Sequence, residues 1–213
     1  MSAAESEDLI DVAQFRAAPL ARSPFDHLVL DRFVPTALAV AAGEAFPDIP
    51  FGGIVPAPEG NGTDALGRLL TRLREPATTR LFAEKYGLAL DPAELMITLR
   101  AHCRRGDGKI HPDSETKLVT ALIYLNATWP HEGGRLRILR GPRDLEDYSA
   151  EVTPLAGTLI TFRRSDHSYH GHHSFEGERK VIMLNWMVGA AMAKRELFRH
   201  AISRRLKRLV GAA

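Results

Sequence analysis

From about residue 95 to residue 188 the chain runs as a succession of short apolar, β-branched segments broken by Gly, Pro, Asp or Asn. They read "LMITLRAHCRR", "KLVTALIYLN", "GRLRIL", "AEVTP", "GTLITF" and "RKVIMLNWMV". Val, Ile, Thr, Phe and Tyr suit a pleated, half-buried surface, and the breakers between the runs mark turns. No helix-length period interrupts them until about Ala190. With two further short strands around "IHPDS" and "HSYHG" the number comes to about eight, the number of a jelly roll made from two sheets.

The first ninety-four residues have a different texture. "FDHLVLDRFVP" reads as a short strand closed by Pro35, and "PTALAVAAGEAF" as a helix entered through its proline. Residues 50–64, "PFGGIVPAPEGNGTD", are rich in Gly and Pro and read as loop, with a composition that admits a lid. "TDALGRLLTRLRE" then sets Leu66, Leu69, Leu70 and Leu73 on one helical face with Thr63 or Asp64 as its cap, and "PATTRLFAEKYG" stops at Gly87. The expected architecture is α+β: a double-stranded β-helix (jelly-roll, cupin-like) core over 95–188, N-terminal support over 1–94 and a basic C-terminal helix over 189–213, all one domain. That last segment carries seven Lys/Arg between Lys194 and Arg208 against Glu196 alone, so the +2 net charge leaves the rest of the chain mildly acidic. Leu197, Ile202, Leu206, Leu209 and Val210 gather on one side of it, which predicts a packed or dimerising helix. No aromatic interleaving or groove-reading motif argues for nucleic acid. One cysteine, Cys103, excludes an internal disulfide and a Cys-rich zinc site. The acidic start "MSAAESEDLIDVAQF" lacks a secretory pattern and no apolar run approaches the ~20 residues of a membrane span, so the expected location is cytoplasmic.

Within the β-region one stretch asks for chemistry. "GKIHPDSETKLVTALIYLN" (108–126) places His111 and Asp113 two positions apart, on one face if that edge is extended. Such a pair is commonly two polar turn residues. As metal ligands the two would need another imidazole further on, and "SDHSYHGHHSF" offers His167, His170, His172 and His173. His172 shares strand parity with His170 and is its rival. Two histidines, one carboxylate and no thiolate form the facial triad of non-haem Fe(II), although zinc accepts the same donors. A dicarboxylate chelating such a metal needs a fixed cation for its far end, and a guanidinium fork suits it. Arg179 opens the strand "RKVIMLNW", and Tyr124 on a neighbouring strand can add a hydroxyl. Thr120 and Asn126 fall where a pocket could be lined, while Trp129, Phe162 and Trp186 read as core.

Taken together, "HPD", "TALIYLN", "WPHEGGRLRIL", "PLAGTLITF", "YHG" and "GERKV" resemble, in order and spacing, the Fe(II)/2-oxoglutarate-dependent dioxygenases of the prolyl-4-hydroxylase-like branch, close to the core of the oxygen-sensing prolyl hydroxylases. The resemblance implies His111, Asp113 and His170 as iron ligands, Arg179 as the partner of the 2-oxoglutarate C5 carboxylate and Tyr124 as its hydroxyl partner. It implies O₂ as oxidant, admits ascorbate as a further cofactor, and points to hydroxylation of a peptidyl proline, an amino acid or a small metabolite. Asp113 itself favours hydroxylation, since halogenating relatives carry a small residue there. "HCRRGD" puts His102 where the family often carries tyrosine. A non-catalytic jelly-roll binder of a metal or small ligand, and a zinc hydrolase, remain the competing classes.

Overall fold

The computed structural model describes residues 9–49, 52–60, 62–196 and 198. Among the described residues four helices come first: α1 (Val12–Ala17), α2 (Thr36–Glu44), α3 (Ala65–Arg74) and α4 (Pro76–Tyr86). Strand β1 (His27–Leu30) lies between α1 and α2, and β2 (Val55–Pro56) between α2 and α3. After a 3₁₀ turn at Pro92–Glu94 follow β3 (Leu95–Cys103), β4 (Lys117–Tyr124), β5 (Leu136–Leu139), β6 (Tyr148–Val152), β7 (Leu159–Arg163), β8 (His170–Gly171) and β9 (Gly177–Met187). Helical turns resume at 190. Most of the expected basic helix, residue 197 and residues 199–213, lies outside the described residues, as do residues 1–8.

Local chemistry accounts for the helices. Asp64, not Thr63, caps α3 by accepting a hydrogen bond from the Gly67 N–H at 2.7 Å. Leu66, Leu69, Leu70 and Leu73 form its buried face. Helix α4 starts on Pro76 and ends at Gly87, whose φ of 63° is the left-handed conformation that a helix stop favours.

The strands form two sheets. A six-stranded antiparallel sheet has the order β1-β7-β4-β9-β3-β2, and a three-stranded one the order β6-β5-β8. Strand alternation splits the core in two. Ile97, Leu99, Val119, Ala121, Ile123, Ile182, Leu184 and Trp186 face the helices and pack with Leu69, Leu70, Leu73 and Phe82. Leu122, Tyr124, Ile160, Phe162 and Val181 face the small sheet and pack with Leu136, Ile138 and Val152. The large sheet is therefore buried on both faces, which is why its central strands read as continuous apolar runs. Each fully buried side chain contributes about 1.5–3 kcal/mol. Trp186 joins sheet to helix, with its ring 4.7 Å from Phe82 and its N–H donating to Thr79 Oγ1.

The structure departs from expectation at three places. Residues 50–64 are not all loop: Val55 and Pro56 pair with Leu99 and Thr98 at the edge of the large sheet, where a proline costs no ladder bond on its free side. Residues 50, 51 and 61 lie outside the description. The His111–Asp113 pair is not on a strand, since only His111 makes a bridge, with His170. Of the expected eight strands of the β-region, seven are present and this bridge stands for the eighth. Together these elements form a jelly roll whose interior lies between the two sheets.

Candidate metal centre

Strand β8 brings the site together. Its His170 and the distant His111 exchange backbone hydrogen bonds of 3.1 Å in both directions, an antiparallel bridge that sets their imidazoles side by side, centroids 4.5 Å apart. Asp113, two residues beyond His111, folds onto the same spot. One donor atom from each of His111, Asp113 and His170 lies within 4.8 Å of the others.

The ring nitrogens are already sorted. Nδ1 of His111 lies 2.7 Å from the Lys109 carbonyl, and Nδ1 of His170 lies 3.0 Å from the Ser168 carbonyl. A carbonyl only accepts, so each Nδ1 carries the proton and each Nε2 keeps a lone pair for a metal. Burial pushes His170 down to about 4; the Asp113 carboxylate pulls it up, and His111 adds to the depression. The ring is neutral near pH 7, as a ligand must be.

Asp113 is 8% exposed and ionised. Burial opposes its charge, but Lys117, His170 and the Thr120 hydroxyl outweigh that and hold the carboxyl below its usual range. Lys117 Nζ donates to Oδ1 at 2.9 Å, the Thr120 hydroxyl to Oδ2 at 2.5 Å, and Arg164 Nε to the Asp113 backbone carbonyl at 3.2 Å. A loop residue thereby gains the fixity of a strand residue. Two imidazoles whose Nδ1 atoms face backbone carbonyls and whose Nε2 atoms face inward, with one oriented carboxylate, fit a divalent first-row metal with open positions. Lys117 and Arg164 are contributions the sequence reading missed, because a lone basic residue beside an H-x-D carries no pattern.

His172, the parity rival, is buried but stands outside this cluster. Its Nδ1 lies 2.8 Å from the His173 carbonyl, and its ring packs on Gly108. A Cβ at Gly108 would clash with that Nδ1, and the φ of 87° there already favours glycine. His173 turns away to Glu146, at 2.6 Å, and His167 is exposed. The Asn126 side chain ties the Pro154 carbonyl to the Lys180 N–H, and the cavity it lines, with Trp129, His131 and Phe175, includes none of the three metal donors. Phe162 is core, as expected, and its ring also backs His170 at 4.7 Å.

Arg179 and Tyr124 meet inside the jelly roll. Arg179 is 4% exposed; its Nε donates to the Gly134 carbonyl and its Nη2 to the Tyr124 hydroxyl, each at 2.9 Å. No acidic side chain pairs with it in the salt bridges found among the described residues. Burial raises the Tyr124 hydroxyl above its ordinary value against the opposing pull of Arg179, so it keeps its proton. Having accepted from Arg179, it can donate that proton onward. An unpaired guanidinium in the interior is costly unless an anion joins it. Tyr124 lies on the same face of β4 as Thr120, with Leu122 between, so the hydroxyl that meets Arg179 and the hydroxyl that holds Asp113 leave the strand on one side.

Residues 98–188 match the model of the 2OG-Fe(II) oxygenase superfamily. No curated protein matches the chain in sequence. Among solved structures, a Pseudomonas putida prolyl-4-hydroxylase superposes with a TM-score of 0.56 at 18% identity, over 83% of this chain and 90% of that one. A prolyl 4-hydroxylase from Phytophthora capsici gives 0.57 at 18% identity, over 87% and 66%. The collagen prolyl hydroxylase of Paramecium bursaria chlorella virus-1, in its 2OG complex, gives 0.54 at 15% identity, over 75% and 93%. At these identities the likeness establishes a shared fold. Among the described residues no helix is long and apolar enough to cross a membrane.

Proposed function

We propose that this chain, whose residues 98–188 match the model of the 2OG-Fe(II) oxygenase superfamily, is a hydroxylase of that kind in which His111, Asp113 and His170 hold Fe(II). In this reading Arg179 and Tyr124 receive the C5 carboxylate of 2-oxoglutarate, and the substrate is a peptidyl proline, an amino acid or a small metabolite. When bound, Fe(II) with 2-oxoglutarate and O₂ supplies oxidative decarboxylation to succinate and CO₂, coupled to insertion of one oxygen atom into a substrate C–H bond.

The residues perform the rest. His111 and His170 present Nε2 because their Nδ1 protons are engaged by backbone carbonyls. Asp113 brings a negative charge that Lys117 and Thr120 orient, so the donor set does not reorganise on loading. Arg179 offers a bidentate, desolvated fork, and the Tyr124 hydroxyl gives a further donor to the same carboxylate. Leu122, Val181 and Phe162 form apolar walls that keep water from the reacting centre.

One observation supports the proposal most: a buried guanidinium with no acidic partner among the described residues is bonded to Tyr124, which shares a face of β4 with Thr120, the residue that holds Asp113 of a converged His, Asp, His set. The test is succinate formation. It should require both Fe(II) and 2-oxoglutarate and vanish in His111→Ala. Turnover that survives that substitution refutes the assignment, and binding of metal without consumption of 2-oxoglutarate across a panel of prolyl peptides, amino acids and metabolites favours a non-catalytic binder.

A further inference from the structure

The hydrogen bonds behind Asp113 contain a proton-count conflict. Thr120 Oγ1 lies 2.5 Å from Asp113 Oδ2 and also 3.1 Å from the side-chain oxygen of Asn185. The hydroxyl has one proton and two lone pairs. It cannot donate to two oxygens at once. The carboxylate is charged, nearer and the stronger acceptor, so the proton belongs to Asp113. Asn185 must then turn its amide so that the NH₂ group faces Thr120 and donates to the hydroxyl oxygen. An amide's oxygen and nitrogen occupy the same volume, so this costs no rearrangement of the backbone or of the neighbours.

The three residues are built for such a chain. Thr120 on β4 and Asn185 on β9 are direct cross-strand partners, so their side chains leave the sheet on the same face. Thr120 is 2% exposed and Asn185 1% exposed, and Asp113 completes the line. Water does not compete for these groups, and the low surrounding dielectric strengthens each link. Donation by the Asn185 amide polarises the Thr120 O–H and strengthens its bond to Oδ2, which leaves the carboxylate held at one oxygen by Thr120 and at the other by Lys117.

We propose that Asn185 is a positioning residue for the metal carboxylate, acting only through Thr120 in a directed chain from the Asn185 NH₂ to the Thr120 hydroxyl to Asp113 Oδ2. This rests on the metal assignment made above for Asp113. Its signature is thermodynamic. If Asn185 reaches the metal solely by way of Thr120, its influence must disappear once the hydroxyl is gone.

The experiment is calorimetric titration of Mn(II) into the full-length protein, without O₂ or substrate, for wild type, Thr120→Val, Thr120→Ser, Asn185→Leu, the double variant Thr120→Val with Asn185→Leu, and Asp113→Ala. Thr120→Val should weaken Mn(II) binding about ten- to a hundred-fold, the usual effect of losing an outer partner of a ligand. Thr120→Ser should restore it to within threefold of wild type, which separates the hydroxyl from the packing around it. Asn185→Leu should weaken binding several-fold by itself and add nothing in the Thr120→Val background. Additive effects in the double variant, or unchanged affinity in Thr120→Val with Asp113→Ala still impaired, overturn the chain while leaving the metal site standing. Full Mn(II) affinity in Asp113→Ala removes the metal assignment itself. Unfolding of the metal-free variants, followed by circular dichroism, confirms that each affinity belongs to a folded protein.

Discussion

Replacing Arg179 with methionine removes a charge and two hydrogen bonds while nearly keeping the volume. In the folded protein Arg179 donates to Gly134 O and to the Tyr124 hydroxyl, and its cation lies 4.9 Å from the Tyr124 ring. Loss of the two charged hydrogen bonds costs about 1.5–3 kcal/mol apiece. Against that stands the relief of a desolvated cation with no counter-ion, itself worth several kcal/mol. The two oppose, so the ligand-free variant should lie within about 2 kcal/mol of wild type in urea unfolding. Binding has no such compensation. The variant leaves the far carboxylate of 2-oxoglutarate buried against an apolar side chain, and truncating one partner of a buried charge pair costs about 2–5 kcal/mol. The dissociation constant for 2-oxoglutarate, titrated into Mn(II)-loaded protein, should therefore rise roughly 30- to 5,000-fold. Arg179→Lys keeps the charge without the fork and should fall between. An affinity for 2-oxoglutarate within threefold of wild type in Arg179→Met refutes the argument.

Three further outcomes follow from particular residues. Asp113→Ala removes the one anionic donor and should lower Mn(II) affinity at least a hundredfold in the same titration, with unfolding midpoints checking that the variant folds. The folded-state value of about 4 for His170 lies below its ordinary 6.5, so the unfolded chain takes up the proton first as pH falls. Stability from this neutral ring is complete above about pH 6.5 and drains away toward pH 4, and the metal-free protein should lose about 2 kcal/mol between pH 7 and pH 5 from this group, read by urea unfolding. His170→Gln should flatten that slope; an unchanged slope places the loss elsewhere. Gly108→Ala forces a Cβ onto His172 in a left-handed backbone, and should destabilise the protein by about 1–2 kcal/mol or more in thermal unfolding.

Much of this protein is legible in its sequence because it is written locally. The Leu66, Leu69, Leu70, Leu73 face, the Asp64 cap and the Gly87 stop each depend on residues within a turn or two, and all three stand in the structure. The β-branched runs likewise declare their strands, since burial on both faces demands apolar side chains at successive positions. His111 and Asp113 are conspicuous by spacing, and the resemblance carried by "YHG" and "GERKV" singles out His170 and Arg179. What tertiary structure alone decides is convergence. His170, and not its parity partner His172, meets His111 because a two-way backbone bridge joins segments 59 residues apart in the chain. Thr120, Lys117, Arg164 and Asn185 reach Asp113 or its holder by cross-strand register and loop packing, where one step of slip would turn a side chain to the opposite face. A periodic pattern states which face of an element is buried. Only hydrogen-bond register between distant strands, set when the two sheets close on their shared core, states which atoms face one another.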